Sequence, residues 1–122
     1  MNNNNLAGRR ILIVEDEMLI AMALENLLRQ NGCEVVGPAR SVDRALTLLE
    51  GEFVDAAVID INLDGERCTP VADALLARGV PFVVATGYSE IVLEEPVLQG
   101  APRVNKPVSQ QRLIRLLDGL LQ

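Results

Sequence analysis

The stretch ILIVEDE, residues 11–17, passes directly from an aliphatic run to three consecutive acidic residues. An apolar run without alternation is typical of a strand that is buried on both faces, as in a parallel sheet. Similar runs recur at residues 35–36, 56–59, 82–85 and, more weakly, 103–104. Segments with the apolar spacing of helices separate most of these runs, so the chain is expected to alternate between strand and helix.

The predicted helices carry recognisable start and stop signals. Short polar residues precede three of them as candidate N-caps, and glycines follow two of them as candidate stops: Ser41, Thr69 and Ser109 for the caps, Gly32 and Gly79 for the stops. Thr69 is followed by Pro70, which favours the first turn of a helix. Pro96 leaves little room for a helix in residues 89–96, so the fourth helix is expected to be short or partly disordered.

This alternation predicts one α/β domain. It is a doubly wound (βα)5 fold with a five-stranded parallel sheet, flavodoxin-like strand order 2-1-3-4-5 and helices on both faces. Residues 9–122 are expected to form the domain, and the Asn-rich residues 1–8 a disordered tail.

Composition narrows the function classes. The chain has 122 residues and a formal net charge of −6, with 11 basic against 17 acidic side chains, which argues against direct DNA binding through phosphates. Two cysteines are too few for a disulfide scaffold. No secretory segment or apolar run of membrane length is visible, so a cytoplasmic location without a membrane partner is predicted.

Polar residues follow four of the five predicted strands. They are Glu15 and Asp16, then Asp60, Thr86 and Lys106. Ligands of such folds bind at the carboxyl ends of the strands, where these side chains meet. Neighbouring carboxylates repel by about 3 kcal/mol per pair, so a cation is needed, and Asp16, Asp60 and a carbonyl near Asn62 match the oxygen ligands of Mg²⁺.

Lys106 is the chain's only lysine, and with the hydroxyl of Thr86 it can contact phosphoryl oxygens. Together these residues indicate transfer of a phosphoryl group onto Asp60. Each has an ordinary alternative: helix N-terminal charges for Glu15 and Asp16, a turn residue for Asp60, a loop threonine and a surface lysine. Their coincidence at one sheet edge favours the phosphoryl site.

The motifs ILIVEDE (11–17), DINLDGE (60–66), ATGY (85–88) and NKP (105–107) resemble those of response regulator receiver domains in two-component systems. Within that family the chain resembles the single-domain group nicknamed "FAT GUY", although Val84 stands where that motif has Phe. The resemblance implies that Asp60 is the phosphoacceptor and Asp16 a direct Mg²⁺ ligand. It implies three further roles: Glu15 acts on the metal through water, Asn62 lends its backbone carbonyl, and Thr86 and Lys106 bind the phosphoryl oxygens. It also implies a cis bond before Pro107.

The function implied is a single-domain response regulator that takes a phosphoryl group from a sensor histidine kinase or phosphotransfer protein. It would then signal to a downstream protein target or relay the group. The alternative is a receiver-like adaptor that does not use phosphorylation. A nucleotide- or flavin-binding enzyme is disfavoured because the loop after the first strand is acidic rather than glycine-rich. The protein is thus expected not to be an enzyme, with catalysis of its own phosphorylation and dephosphorylation left open.

The chain departs from the family at the usual switch residue. Receivers usually carry an aromatic residue three positions before the lysine, where this chain has Arg103. We hypothesise that Tyr88 reports phosphorylation instead, or shields the phosphoryl group from water. The alternative is that Tyr88 only packs over its loop.

Three apolar residues, Met18, Leu19 and Met22, follow the acidic run. Together they suit a docking patch for a kinase or phosphotransfer helix, whereas core packing is the favoured interpretation for any single one of them.

Overall fold

The structure, a computed structural model, describes residues 6–63, 65–86, 98, 100–106 and 108–122. The central sheet contains β1 (Arg10–Val14), β2 (Glu34–Ala39), β3 (Ala56–Asp60), β6 (Phe82–Thr86) and β7 (Arg103–Asn105). Two short strands, β4 (Asn62–Leu63) and β5 (Glu66–Arg67), form a separate antiparallel hairpin. The described helices are α1 (Met18–Gln30), α2 (Val42–Gly51), α3 (Thr69–Ala77) and α4 (Gln110–Leu120).

The strand order of the central sheet is β2-β1-β3-β6-β7, with every neighbouring pair parallel. With the hairpin set aside, this is the predicted order 2-1-3-4-5, so the fold prediction is confirmed. The predicted short fourth helix, residues 89–96, lies outside the described residues.

The continuous apolar runs arise because both faces of the sheet are covered. Every residue of β3 and β6 is buried. Alternate residues of β1 enter different clusters: Leu12 packs with residues of α2 and α3, whereas Ile13 packs with residues of α1 and α4. Burial on two faces removes the polar alternation that a half-exposed strand would show.

The predicted caps hold at two of the three helix starts. Ser41 accepts a hydrogen bond from the backbone N–H of Arg44 at 3.1 Å, and Ser109 accepts one from that of Arg112 at 3.3 Å. The prediction for Thr69 is wrong by one residue. The carbonyl of Cys68 already accepts from the N–H of Val71 at 2.9 Å, so Cys68 is the N-cap and Thr69 begins α3.

Gly32 and Gly79 end α1 and α3 as predicted. Their φ angles of +87° and +69° lie in the left-handed region that glycine adopts without a steric penalty.

The ordered domain begins before the predicted boundary at residue 9. Leu6 is fully buried, in the same cluster as Leu28 and Leu121, and the N–H of Gly8 donates to the carbonyl of Gly32 at 2.8 Å. Residues 6–8 were predicted to be part of a disordered tail. The burial of Leu6 in the core and the hydrogen bond of the Gly8 N–H instead attach residues 6–8 to the domain.

Candidate functional site

Parallel pairing brings the ends of four strands to one edge of the sheet. Val14 pairs with Ile59, Asp60 with Ala85, and Thr86 with Asn105. The register therefore places Glu15, Asp60, Thr86 and Lys106 at or directly beyond neighbouring strand ends. The backbone N–H of Lys106 donates to the carbonyl of Thr86 at 3.0 Å, which extends this register by one residue.

The carboxylates of Glu15, Asp16 and Asp60 converge. One oxygen atom from each lies within 4.8 Å of the others. Glu15 is 1% exposed and Asp60 5% exposed, whereas Asp16 is half-buried. Hard carboxylate oxygens with one side open to water form the donor set that Mg²⁺ prefers, so these residues fit a magnesium ion.

Lys106 compensates the charge of this acidic cluster. Its Nζ lies 3.0 Å from Oδ2 of Asp60 and 3.2 Å from Oε1 of Glu15. A longer contact of 3.8 Å joins it to Oε1 of Glu17. The sequence patterns assign no role to Glu17, although its position two residues beyond Glu15 and just before a predicted helix is a visible signal.

The buried charges shift two pKa values in this cluster. Burial raises the pKa of Glu15 to about 7, and the negative charge of Asp60 adds to the rise. A hydrogen bond at 3.1 Å from the N–H of Glu17 to Oε2 of Glu15 opposes it, as does Lys106. Burial alone would lower the pKa of Lys106, but its hydrogen bonds and ion pairs with Asp60 and Glu15 raise it. Lys106 is therefore a cation throughout the physiological pH range.

The structure describes some of the other predicted site residues but not all of them. Thr86 is fully buried at the end of β6. Asn62 belongs to the hairpin, where its backbone pairs with Arg67. Tyr88 lies outside the described residues, and so does the bond before Pro107. Arg103, at the position of the usual aromatic, is half-buried in β7, and its carbonyl accepts a 3.5 Å hydrogen bond from Arg112.

An apolar surface adjoins the acidic cluster. Met18, Leu19 and Met22 of α1 are 58%, 81% and 51% exposed, so the core-packing interpretation that was favoured for each residue singly is wrong for all three. A groove of about 280 Å³ runs between α1 and the segment that enters α4. It is lined by Leu19, Ile20, Ala23, Leu24, Leu27, Lys106, Val108 and Gln110. Lys106 both lines this groove and contacts Asp60, so it connects the groove to the acidic cluster.

Several proteins of known structure or curated sequence resemble the chain. The solution structure of SdrG from Sphingomonas melonis Fr1 is 42% identical, with a TM-score of 0.81 over 94% of this chain and 98% of that chain. The receiver domain of the Erythrobacter litoralis PhyR response regulator is 30% identical, with a TM-score of 0.84 over 94% of this chain and 91% of that chain.

Among curated sequences, the transcriptional regulatory protein PdtaR of Mycobacterium tuberculosis is 35% identical over 71% of this chain. The sensory transduction protein LytT of Bacillus cereus is 30% identical over 88% of this chain. The chain spans 43% of the length of PdtaR and 45% of that of LytT.

Within the part of the chain that the structure describes, no helix is both long and apolar enough to cross a bilayer. The sequence model of the response regulator receiver domain matches residues 11–118, almost the full extent of the sheet and its helices. This match, the relatives and the converging strand ends agree, and the chain belongs to the receiver domain family of two-component response regulators.

Proposed function

We propose that the chain accepts a phosphoryl group on Asp60 from a sensor histidine kinase or phosphotransfer protein, with Mg²⁺ as cofactor, and signals or relays it through protein contacts in the cytoplasm. The observation that carries this proposal is the convergence of three carboxylates and the ammonium of Lys106 at one sheet edge. Membership of the receiver family supports it. Signalling without direct DNA contact is part of the proposal.

In the transfer step, one carboxylate oxygen of Asp60 attacks the phosphorus atom of the donor's phosphohistidine. The new O–P bond forms as the N–P bond breaks, and the electron pair of that bond returns to the imidazole, which leaves with the histidine-bearing protein. The attacking group is the carboxylate of Asp60, and the ammonium of Lys106 lies 3.0 Å from its Oδ2. Low exposure of Asp60 excludes most competing water.

The charge that develops on the transferred group needs cations and donors around it. Asp16 and Asp60, with the backbone carbonyl of Asn62 and with Glu15 through water, would hold Mg²⁺, which supplies charge neutralisation when bound. Lys106 would contact one phosphoryl oxygen and the hydroxyl of Thr86 another. Tyr88 is proposed to report the phosphorylated state or to shield it from water.

The docking partner is proposed to be a helix of the kinase or phosphotransfer protein. The groove between α1 and the start of α4 is apolar, and it reaches Lys106. A helix seated there would bring a histidine on its surface to Asp60. Met18 and Met22 beside the groove are unbranched and adaptable, which favours packing against a partner helix.

Intact mass after incubation with acetyl phosphate and Mg²⁺ tests the assignment. Wild type is expected to gain one phosphoryl group, Asp60→Asn none, and the matched control Asp73→Asn, which alters an exposed carboxylate on α3, the same as wild type. Chelator is expected to suppress the adduct. An adduct that persists in Asp60→Asn refutes the assigned acceptor. Absence of both the adduct and Mg²⁺ binding in wild type favours the adaptor that does not use phosphorylation.

A further inference from the structure

Glu17 is the solvent-facing member of the carboxylates that contact Lys106. Its side chain is 63% exposed, whereas Glu15 and Asp60 are buried. Oε1 of Glu17 lies 3.8 Å from Nζ of Lys106, and Oδ2 of Asp60 lies 3.0 Å from the same atom. A single ammonium group therefore separates the carboxylate of Glu17 from that of Asp60.

The backbone holds Glu17 in this place without help from its side chain. Its N–H donates to Oε2 of Glu15 at 3.1 Å, and its carbonyl accepts from the N–H of Ala21 at 2.9 Å. Glu17 is the N-cap of α1, but its carboxylate makes no capping hydrogen bond. Among the described residues, its one ion pair is the long contact with Lys106. Loss of the charge at Glu17 therefore leaves the start of α1 intact.

The negative charge of Glu17 lies at the entrance to the acidic cluster. Glu15 and Asp60 are buried, so the side of the cluster that is open to solvent is the side of Asp16 and Glu17. Asp16 is a proposed Mg²⁺ ligand, and the bound ion would offset its charge. Glu17 is not a proposed ligand, so an anion that approaches Asp60 from solvent passes an uncompensated carboxylate.

We propose that Glu17 is a specificity-determining residue for the phosphoryl donor, because its carboxylate disfavours free anionic donors. A small dianion such as acetyl phosphate is repelled and has no docking contact that offsets the repulsion. A phosphohistidine on a protein docked at the groove is held by that surface, and these contacts offset the same repulsion. This inference rests on the proposed function, because it assumes that Asp60 accepts the group.

Glu17 acts on the approach of the donor and not on the bonds that change. With acetyl phosphate, a carboxylate oxygen of Asp60 attacks the phosphorus atom. The new O–P bond forms as the bond between phosphorus and the acetyl oxygen breaks, and acetate leaves with that electron pair. Glu17 also competes with the incoming phosphoryl oxygens for the ammonium of Lys106. Both effects are electrostatic, so they depend on the charge of the donor and on ionic strength.

Two substitutions at Glu17 separate its charge from its shape. Glu17→Gln keeps the length of the side chain and the backbone hydrogen bonds but removes the charge, whereas Glu17→Asp keeps the charge. Glu50→Gln is the matched control, because it changes the net charge by the same amount. Glu50 is exposed near the end of α2, where the chain returns to begin β3, so it lies at the end of the sheet opposite Asp60.

Intact mass gives initial labelling rates at saturating Mg²⁺ with acetyl phosphate and with phosphoramidate, a donor that carries less negative charge at neutral pH. Glu17→Gln is expected to react with acetyl phosphate about twofold to fivefold faster than wild type at low ionic strength, and to gain less with phosphoramidate. The gain is expected to vanish in about 1 M KCl, where the Debye length is about 3 Å. Glu17→Asp is expected to stay closer to wild type than Glu17→Gln, and Glu50→Gln to match wild type.

Three results would overturn the inference while leaving Asp60 as the acceptor. One is a wild-type rate in Glu17→Gln with both donors. Another is a gain that is equal for the two donors or unchanged by salt, since that would indicate a structural effect. The third is an equal gain in Glu50→Gln, which would reflect net charge alone. An adduct that persists in Asp60→Asn, or no adduct in wild type with either donor, would instead overturn the proposed function and this inference with it.

Discussion

Replacing Glu15 by Gln is predicted to remove most of the pH dependence of stability that the acidic cluster creates in the metal-free protein. Burial raises the pKa of Glu15 from its ordinary value of 4.5 to about 7. Each pKa unit corresponds to about 1.4 kcal/mol, so keeping Glu15 ionised in the folded state costs up to about 3 kcal/mol. Gln is nearly isosteric, and its amide oxygen can still accept from the N–H of Glu17.

The sign follows from the direction of the shift. A raised pKa in the folded state means that folding favours the protonated carboxyl. The stabilisation that the protonated carboxyl of Glu15 contributes is complete below about pH 4.5 and is lost as the pH rises to about 7. Over this window the unfolding free energy of wild type should therefore fall relative to that of Glu15→Gln by up to about 3 kcal/mol.

Urea unfolding in chelator, measured from pH 4.5 to pH 8, gives this difference directly. Glu50→Gln is the matched control, because Glu50 is exposed on α2 and its replacement removes one carboxylate without touching the cluster. The curves of wild type and Glu50→Gln should run parallel. If the unfolding free energies of wild type and Glu15→Gln differed by a constant amount across the window, burial would not raise the pKa of Glu15 as argued.

Three further predictions concern the metal, the docking groove and a helix cap. Asp16→Asn should raise metal-free stability by about 1 kcal/mol by relieving repulsion, while abolishing Mg²⁺ binding; thermal unfolding in chelator and a calorimetric titration check both, and a loss of metal-free stability would contradict this interpretation of the cluster. Leu19→Asp should slow phosphoryl transfer from a phosphorylated kinase tenfold or more, because it removes about 1.4 kcal/mol of docking free energy. Labelling by acetyl phosphate should stay unchanged, because this small donor does not use the groove. Phe53→Asp is its control, because Phe53 is 70% exposed and lies before β3, away from the groove; it should affect neither rate. Ser41→Ala should lower the unfolding free energy by about 1 kcal/mol through the loss of its bond to Arg44, as denaturant unfolding would show.

The sheet and its reactive edge could be predicted because each depends on strong local signals. Strands such as residues 56–59 are buried on both faces, so their apolar runs are continuous, and parallel pairing then carries Asp60 and Lys106 to the same edge. The burial of Leu6 could not be predicted, because one apolar residue among polar ones has no periodicity. The same holds for the hairpin, whose two-residue strands are too short to show alternation. Asp64 and Gly65 marked a turn there but not a ladder.

The contact of Lys106 with Glu17 links the state of Asp60 to the docking surface. Glu17 is the residue that precedes α1, and α1 carries Leu19 and its exposed neighbours. Under the proposed function, a phosphoryl group on Asp60 would draw the ammonium toward its oxygens and away from Glu17. Glu17 is 63% exposed and 3.8 Å from Nζ, so the lost contact is worth well under about 1 kcal/mol. A free-energy change of this size alters the equilibrium between arrangements of the chain at the start of α1 by a factor of a few. Phosphorylation should therefore tune the affinity of this face for a partner rather than open or close it outright.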